Sequence, residues 1–304
     1  MKVTVKNHLK ICICISLAIM LIALVMTISG HGLNLGVDFT GGTLMTYNMG
    51  GEFESSDVEA ALSSNGITDA SIAKVGDNHE VQIRISDQDN TDELRDSLED
   101  QLKQKYPNIS YVDITRVGAV AGRDLINNAI RSVTVASILM LVYIAFRFDL
   151  FSGMAAIFGL IHDVLIMLSI TVLLRGFIRV ETTYIAAMLT IVGYSINNTI
   201  IIFDRIRENS HKSSLRSLPK DEIVNLSVSE SLSRTLNTTV TTLLTVVTLY
   251  VLGVDSIKQF SLPLIIGIIS GIYSANLING YVWAFLMDAR ERNRKNRAQA
   301  KSKA

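Results

Sequence analysis

Two adjacent asparagines, Asn197 and Asn198, lie inside an apolar run that then breaks into the charged string Asp204-Arg205-Ile206-Arg207-Glu208-Asn209. An amide in hydrocarbon needs a hydrogen-bonding partner, because an unpaired one costs several kcal/mol. Such groups point into a bundle, either as glue between helices or along an ion path. For Asn197 taken alone, interhelical glue is the simpler reading. Asp163 sits about 13 residues into the run 150–174, near mid-bilayer at about 1.5 Å per residue. A lone aspartate there costs at least ~2.5 kcal/mol. It is either a structural carboxylate, neutral or bonded to a neighbouring helix, or a station in a proton or ion path. His162 precedes it and points about 100° away round a helix, so spacing implies no direct His–Asp couple.

A third polar pattern follows Arg234. Thr238, Thr241, Thr245 and Thr248 recur at helical spacing behind it, which puts a cation and four hydroxyls on one stripe. Such a stripe could line a hydrated crevice. Equally, membrane threonines bond their own i−4 carbonyls, and an arginine near a helix end can snorkel. Gly267, Gly271 and Ala275, with Ser270 and Ser274 beside them, form a small-xxx-small stripe suited to close helix packing, within the chain or against another subunit.

The elements that hold these residues are six long apolar runs. The chain has 304 residues, 49% hydrophobic and 18% charged, with charges that cancel overall but cluster between the runs. Uncharged stretches occupy 11–30, 132–146, 182–203, 235–254 and 259–287, and a sixth, 150–174, is interrupted only by His162 and Asp163. About 20 apolar residues span a bilayer, so six transmembrane helices are expected, the second extending back to about Asn127. The first run follows Lys2, Lys6 and Lys10 but is too long for a signal peptide and reads as an uncleaved anchor. Cys12 and Cys14 within it are expected to be buried thiols. Lys2, Lys6 and Lys10, the basic residues between runs four and five (Arg205, Arg207, Lys212, Arg216 and Lys220) and the basic tail all fall on one side. The positive-inside rule makes that side the cytoplasm.

The division expected is 1–30 for the N-terminus and first helix, 31–126 for a domain on the opposite side, 127–288 for five further helices with a cytoplasmic loop at 204–233, and 289–304 for a basic tail. Residues 31–128 hold 17 acidic against 7 basic side chains, which argues against nucleic acid. Strand patterns fall at 43–49, 71–75, 81–85 and 109–117, with a hairpin turn at Gly76-Asp77-Asn78-His79. Ser56 and Glu59 suggest a capping box opening one helix. Thr91 opens another, with Leu94, Leu98 and Leu102 on one face and Pro107 beyond its end. This βαββαβ order is that of the ferredoxin-like α+β fold. No nucleophile–base pair, phosphate loop or metal-ligand set is visible, and His79 reads as a solvated turn residue. The expectation is no catalytic residue, no metal, no cofactor and no enzyme.

Six spans with one external domain after the first resemble half of a resistance–nodulation–division (RND) transporter. More specific are GVDFTGGT (Gly36–Thr43), Ile161-His162-Asp163, GYSINNTIIIFDRIREN (Gly193–Asn209) and SLSRTLNTTVTTL (Ser231–Leu243). These resemble the SecF family, the smaller membrane subunits of the SecDF protein-export factor, over about residues 6–288. Two departures stand out. The family usually has aspartate where this chain has Asn198, and an amide cannot carry a proton. VGAVAG (Val117–Gly122) lacks the proline that the family commonly has there, which removes a rigid φ restraint.

The resemblance implies a bacterial plasma (inner) membrane protein with both termini cytoplasmic. It also implies a heterodimer with SecD, attached to the SecYEG channel and the SecA motor, that helps release preprotein on the outer face using the proton motive force. Candidate path residues are Asp163, Arg234, Asn198, Asn197 and Thr238. Asp38, Gly41, Gly42, Gly193, Asp204 and Arg205 belong to the structural motifs, and Gly267 and Gly271 to packing. Membrane lipids are further expected partners. Two alternatives stay open: a structural SecF half with all ion coupling in SecD, and an independent lipid or drug exporter of the same superfamily.

Overall fold

The computed structural model describes residues 6–68, 70–75, 79–86, 90–215 and 217–303. Gly76, Asp77 and Asn78 of the expected turn, and Lys2 and Arg216 of the orientation argument, lie outside them. The chain divides into two compact units: residues 1–34, 132–178 and 183–304 form one, and 35–131 with 179–182 form the other.

The smaller unit contains a one-turn helix α2 (Val37–Thr40), β1 (Gly42–Asn48), α3 (Ser55–Ser64), β2 (Ser71–Val75), β3 (Glu80–Ile85), α4 (Thr91–Lys103) and β4 (Ser110–Val117). Its four strands pair antiparallel in the order β2-β3-β1-β4, which is the ferredoxin-like topology expected from the element order. Alternation explains the sheet: Val81, Ile83 and Ile85 of β3 are buried between half-exposed Glu80, Gln82 and Arg84. They pack with Met45 and Tyr47 of β1, Val58 and Leu62 of α3, and Leu94, Leu98 and Leu102 of α4. The capping box does not form. Helix α3 starts at Ser55 behind Glu54, with no side-chain cap. Ser56 therefore falls one residue inside the helix, where its hydroxyl cannot take the N-cap role.

The larger unit is helical. It holds α1 (Lys6–Ile28), most of α5 (Ala119–Arg147), α6 (Leu150–Leu173), α7 (Thr182–His211), α8 (Lys220–Leu252), α9 (Asp255–Ser274) and α10 (Gly280–Lys303). Among the described residues, six stretches are long and apolar enough to cross a membrane: 9–28, 120–144, 150–173, 182–211, 220–252 and 257–296. Leucines 17, 21 and 24 of α1, and Leu139 and Leu244 on α5 and α8, are exposed, as lipid-facing side chains are. Cys12 is buried, but Cys14 is exposed on the same helix. Their 200° separation around the axis puts one thiol inward and the other on the lipid side.

Two elements differ from the sequence reading. The expected loop 204–233 is almost wholly helical, because α7 runs to His211 and α8 begins at Lys220. The sixth span is interrupted by a π turn at Ala275–Asn279, and α10 carries the helix through the basic tail to Lys303.

Candidate functional site

Asp163 is fully buried, and its carboxylate accepts from every side. On Oδ2 it receives the Ser195 hydroxyl of α7 at 2.5 Å and the Ser274 hydroxyl of α9 at 2.8 Å. On Oδ1 it receives Ser270 of α9 at 2.8 Å, with His162 Nδ1 at 3.1 Å. Charge-assisted bonds of this kind are worth about 1.5–3 kcal/mol each. One side chain thus joins α6, α7 and α9. The His162–Asp163 contact corrects the sequence expectation: Cβ vectors 100° apart do not separate side chains when one is an imidazole long enough to fold back. From His162 the chain continues through Nε2 to Ser16 Oγ at 2.8 Å, on to the Tyr273 hydroxyl at 3.3 Å, and from there to the Cys12 carbonyl at 2.5 Å.

Small residues permit this convergence. A Cβ on Gly267 would lie 2.0 Å from Ile191 Cδ1, and one on Gly271 would lie 3.3 Å from Ser195 Cα. The stripe Gly267–Gly271 therefore faces α7 within the chain and lets Ser270 and Ser274 reach Asp163. Gly193 is looser, with only Met140 Cε at 3.9 Å from its notional Cβ.

The asparagines separate. Asn197 is exposed, so it glues nothing among the described residues; Asn198 is fully buried, and neither amide atom has a partner there. One turn earlier, the Tyr194 hydroxyl donates to Thr239 of α8 at 3.1 Å. The helices run antiparallel, which sets Asn198 level with Thr235, whose hydroxyl reaches Asn276 Oδ1 at 3.4 Å. Asn279 bonds Thr199 Oγ1 at 2.9 Å through Nδ2. A π turn displaces side chains in this way and often accompanies function.

Arg234 and Thr238 are not brought to Asp163. Both are exposed, and Arg234 has no side-chain partner among the described residues. Thr238, Thr241, Thr245 and Thr248 each donate to the carbonyl four residues back, at 2.8–3.2 Å. The hydroxyls are therefore satisfied within α8, while the stripe as a whole lies on the outer face of the chain.

The end of α7 is a staple. Asp204 pairs with Arg147 at 3.0 Å, and Arg205 pairs with Glu230 of α8 at 2.7 Å. Buried Asn209 donates to Ser227 at 3.0 Å and to Glu230 at 2.8 Å.

In the smaller unit, Gly36 donates its N–H to the Val180 carbonyl at 2.7 Å, and Asp38 Oδ2 accepts both the amide and the hydroxyl of Thr182. Arg84 donates to the Leu35 carbonyl at 2.6 Å, and Arg179 to Gln82 at 2.7 Å. Burial raises the Glu181 carboxyl above its ordinary pKa. Gly41 and Gly42 have φ of 74° and 116°, and a Cβ on Gly42 would lie 2.5 Å from the Ile85 carbonyl, so both positions demand glycine. No group of three or more potential metal-ligating side chains exists among the described residues.

Three features went unread in the sequence: Ser195, the pairing of Ser270 with Ser274 toward one carboxylate, and the seating of residues 179–182 on the Gly36–Gly42 segment. The only sequence signal for the serines was their i, i+4 spacing.

Six apolar spans around a buried carboxylate, with a ferredoxin-like unit between the first two, define a polytopic membrane protein. Residues 97–289 match the family described as "Protein export membrane protein SecD/SecF, C-terminal", and residues 28–49 match the "SecD/SecF GG Motif". The chain is 36% identical over 254 residues to the "Protein translocase subunit SecF" of Cereibacter sphaeroides, covering 80% of this chain and 77% of that protein. The Haemophilus influenzae protein of the same name is 34% identical, covering 86% and 79%. Bacillus subtilis "Protein translocase subunit SecDF" is 32% identical over 83% of this chain but only 34% of its own length. A crystal structure of SecDF from Thermus thermophilus, described as "a translocon-associated membrane protein", superposes with a TM-score of 0.82 at 33% identity, over 93% of this chain and 38% of that one. The chain belongs to the SecD/SecF family of protein-export membrane proteins, on the SecF side, and its role lies in protein export.

Proposed function

We propose that the chain is the SecF half of a SecD–SecF heterodimer in a bacterial plasma membrane, with both termini cytoplasmic, and that proton movement near Asp163 drives its outer domain to assist preprotein release. It performs no enzymatic chemistry. SecYEG and SecA are its expected neighbours, and the plan is that of half an RND transporter. Partnership with SecD is supported by relatives in which both halves are one chain about three times the aligned length. It is also supported by Arg234: an exposed cation and hydroxyl stripe on a spanning helix calls for a protein cover.

The observation that carries the coupling is the closed set of three serine donors and the His162 ring nitrogen around Asp163. A proton arriving there turns one acceptor into a donor, and a hydroxyl from α7 or α9 must then let go. The linker joining α6 to α7 passes through the outer unit at 179–182, so loosening of these two helices reaches that unit along the chain itself. One charge crossing 100 mV supplies about 2.3 kcal/mol, enough to shift a two-state position roughly fifty-fold.

Proton flux and preprotein export in inverted vesicles holding this chain with its SecD provide the test. Asp163→Asn and Arg234→Met are expected to lower both. Unchanged flux and export in both variants would refute coupling through this subunit. The unpartnered Asn198 amide favours the second reading, a structural half with coupling in SecD; under it Asn198→Asp leaves flux unaltered.

A further inference from the structure

We propose that a cavity at the α5–α6 end of the bundle binds the phosphate-bearing headgroup of an anionic glycerophospholipid. The cavity measures about 410 Å³, within the range of small-molecule sites. It lies where α5 hands over to α6, beside the last turns of α7, the first residue of α8 and the body of α10.

Trp283 and Arg207 are both part of its lining. Trp283 is 4% exposed, and its indole N–H has no acceptor among the described residues. Arg207 is exposed and forms no ion pair among the described residues; its guanidinium donates to the Arg147 carbonyl at 3.3 Å. Arg147 and Lys220 add positive charge, paired at 3.0 Å with Asp204 and loosely, at 3.6 Å, with Glu291. The one carboxylate on the wall, Asp149, is engaged in capping α6 through the Ser152 amide at 2.6 Å. An oxygen-rich anion at this wall pairs with the Arg207 guanidinium, which has no carboxylate partner among the described residues.

The apolar part of the lining selects an amphiphile over a free anion. Phe203 and Met287 line it, and Phe146 stands 89% exposed at its rim, on the outer side of α5. Cations set beside aromatic and aliphatic groups in one cavity match a phosphate joined to glycerol and acyl chains. Basic pockets between spanning helices at headgroup depth are suited to such lipids. The inference rests on the membrane reading but not on proton coupling.

Trp283 is the chain's one tryptophan, so its emission reports the site directly. The full chain in detergent would be titrated with phosphatidylglycerol or phosphatidylcholine carrying brominated acyl chains, which quench a neighbouring indole, and separately with inorganic phosphate. Phosphatidylglycerol is expected to quench at lower mole fraction, and Arg207→Gln or Lys220→Gln to weaken it about fivefold each. Size-exclusion profiles identify any variant that fails to fold, and either variant alone decides the matter. Equal quenching by the two lipids, or no weakening in the folded variants, overturns the proposal. A saturable emission change with inorganic phosphate that blocks lipid quenching would assign the site to free phosphate and also overturn it. None of these readings involves flux, so this proposal and the coupling proposal fail independently.

Discussion

Asp38 and Thr182, 144 positions apart, form a two-point cap: one carboxylate oxygen of Asp38 accepts the Thr182 amide at 2.8 Å and its hydroxyl at 2.7 Å. Helix α7 opens at Thr182, so its first-turn donor is satisfied from a residue of the glycine-rich segment. Loss of a helix cap costs about 0.5–2 kcal/mol. Asp38→Ala should therefore speed amide hydrogen exchange in the first turn of α7 by roughly threefold to thirtyfold, with Asp38→Asn milder. Unaltered exchange in Asp38→Ala would show that the cap carries no stability.

Around Asp163, the serines should matter only while the carboxylate is there. Ser195→Ala, Ser270→Ala and Ser274→Ala should each destabilise the chain by about 1–3 kcal/mol. In an Asp163→Ala background the same changes should cost close to nothing, because each hydroxyl then returns to its own i−4 carbonyl. Thermal unfolding in detergent measures the cycle. Additive effects would dismiss the convergence on Asp163.

Gly267 tests the approach of α9 to α7. A methyl there meets Ile191 at 2.0–2.4 Å, and overpacking costs about 1–3 kcal/mol. Gly267→Ala should lower the unfolding temperature, and Ile191→Ala in the same chain should recover most of the loss. A harmless single substitution, or a pair with no recovery, would contradict the contact.

The smaller unit should respond to acid through Asp57. Hydrogen bonds from Lys105 and then Tyr106 hold its carboxyl below the ordinary value of 3.8. A carboxyl depressed in the folded state contributes stability above its unfolded value and loses it as pH falls through the folded value. Wild type should therefore outlast Asp57→Asn at neutral pH, and the gap should close below about pH 4. A gap independent of pH would exclude this tie.

Much of this was legible in sequence because it depends on periodicity. Apolar runs of membrane length gave the spans, and alternating Val81, Ile83 and Ile85 with i, i+4 leucines in α4 gave the smaller unit. What was not legible depends on contacts across the chain. A serine in a spanning helix ordinarily bonds its own backbone, so nothing local marks Ser195, Ser270 or Ser274 as turned toward Asp163. Asn197 and Asn198 look alike in sequence, yet one faces out and the other is sealed in. Arg234 and its threonines could have lined a hydrated crevice, but their azimuth on α8 carries them to the outer face. The π turn was invisible because Ala275–Asn279 has the composition of ordinary helix.

That turn sets the phase between two halves of one span. Before it, Ser270 and Ser274 are aimed at Asp163; after it, Trp283 lines the cavity of about 410 Å³. Deleting its extra residue would carry every later side chain about 100° round the axis, taking Trp283 off the cavity wall while leaving the serines in place. The two ends of the span are geared to each other by a single residue's worth of rotation.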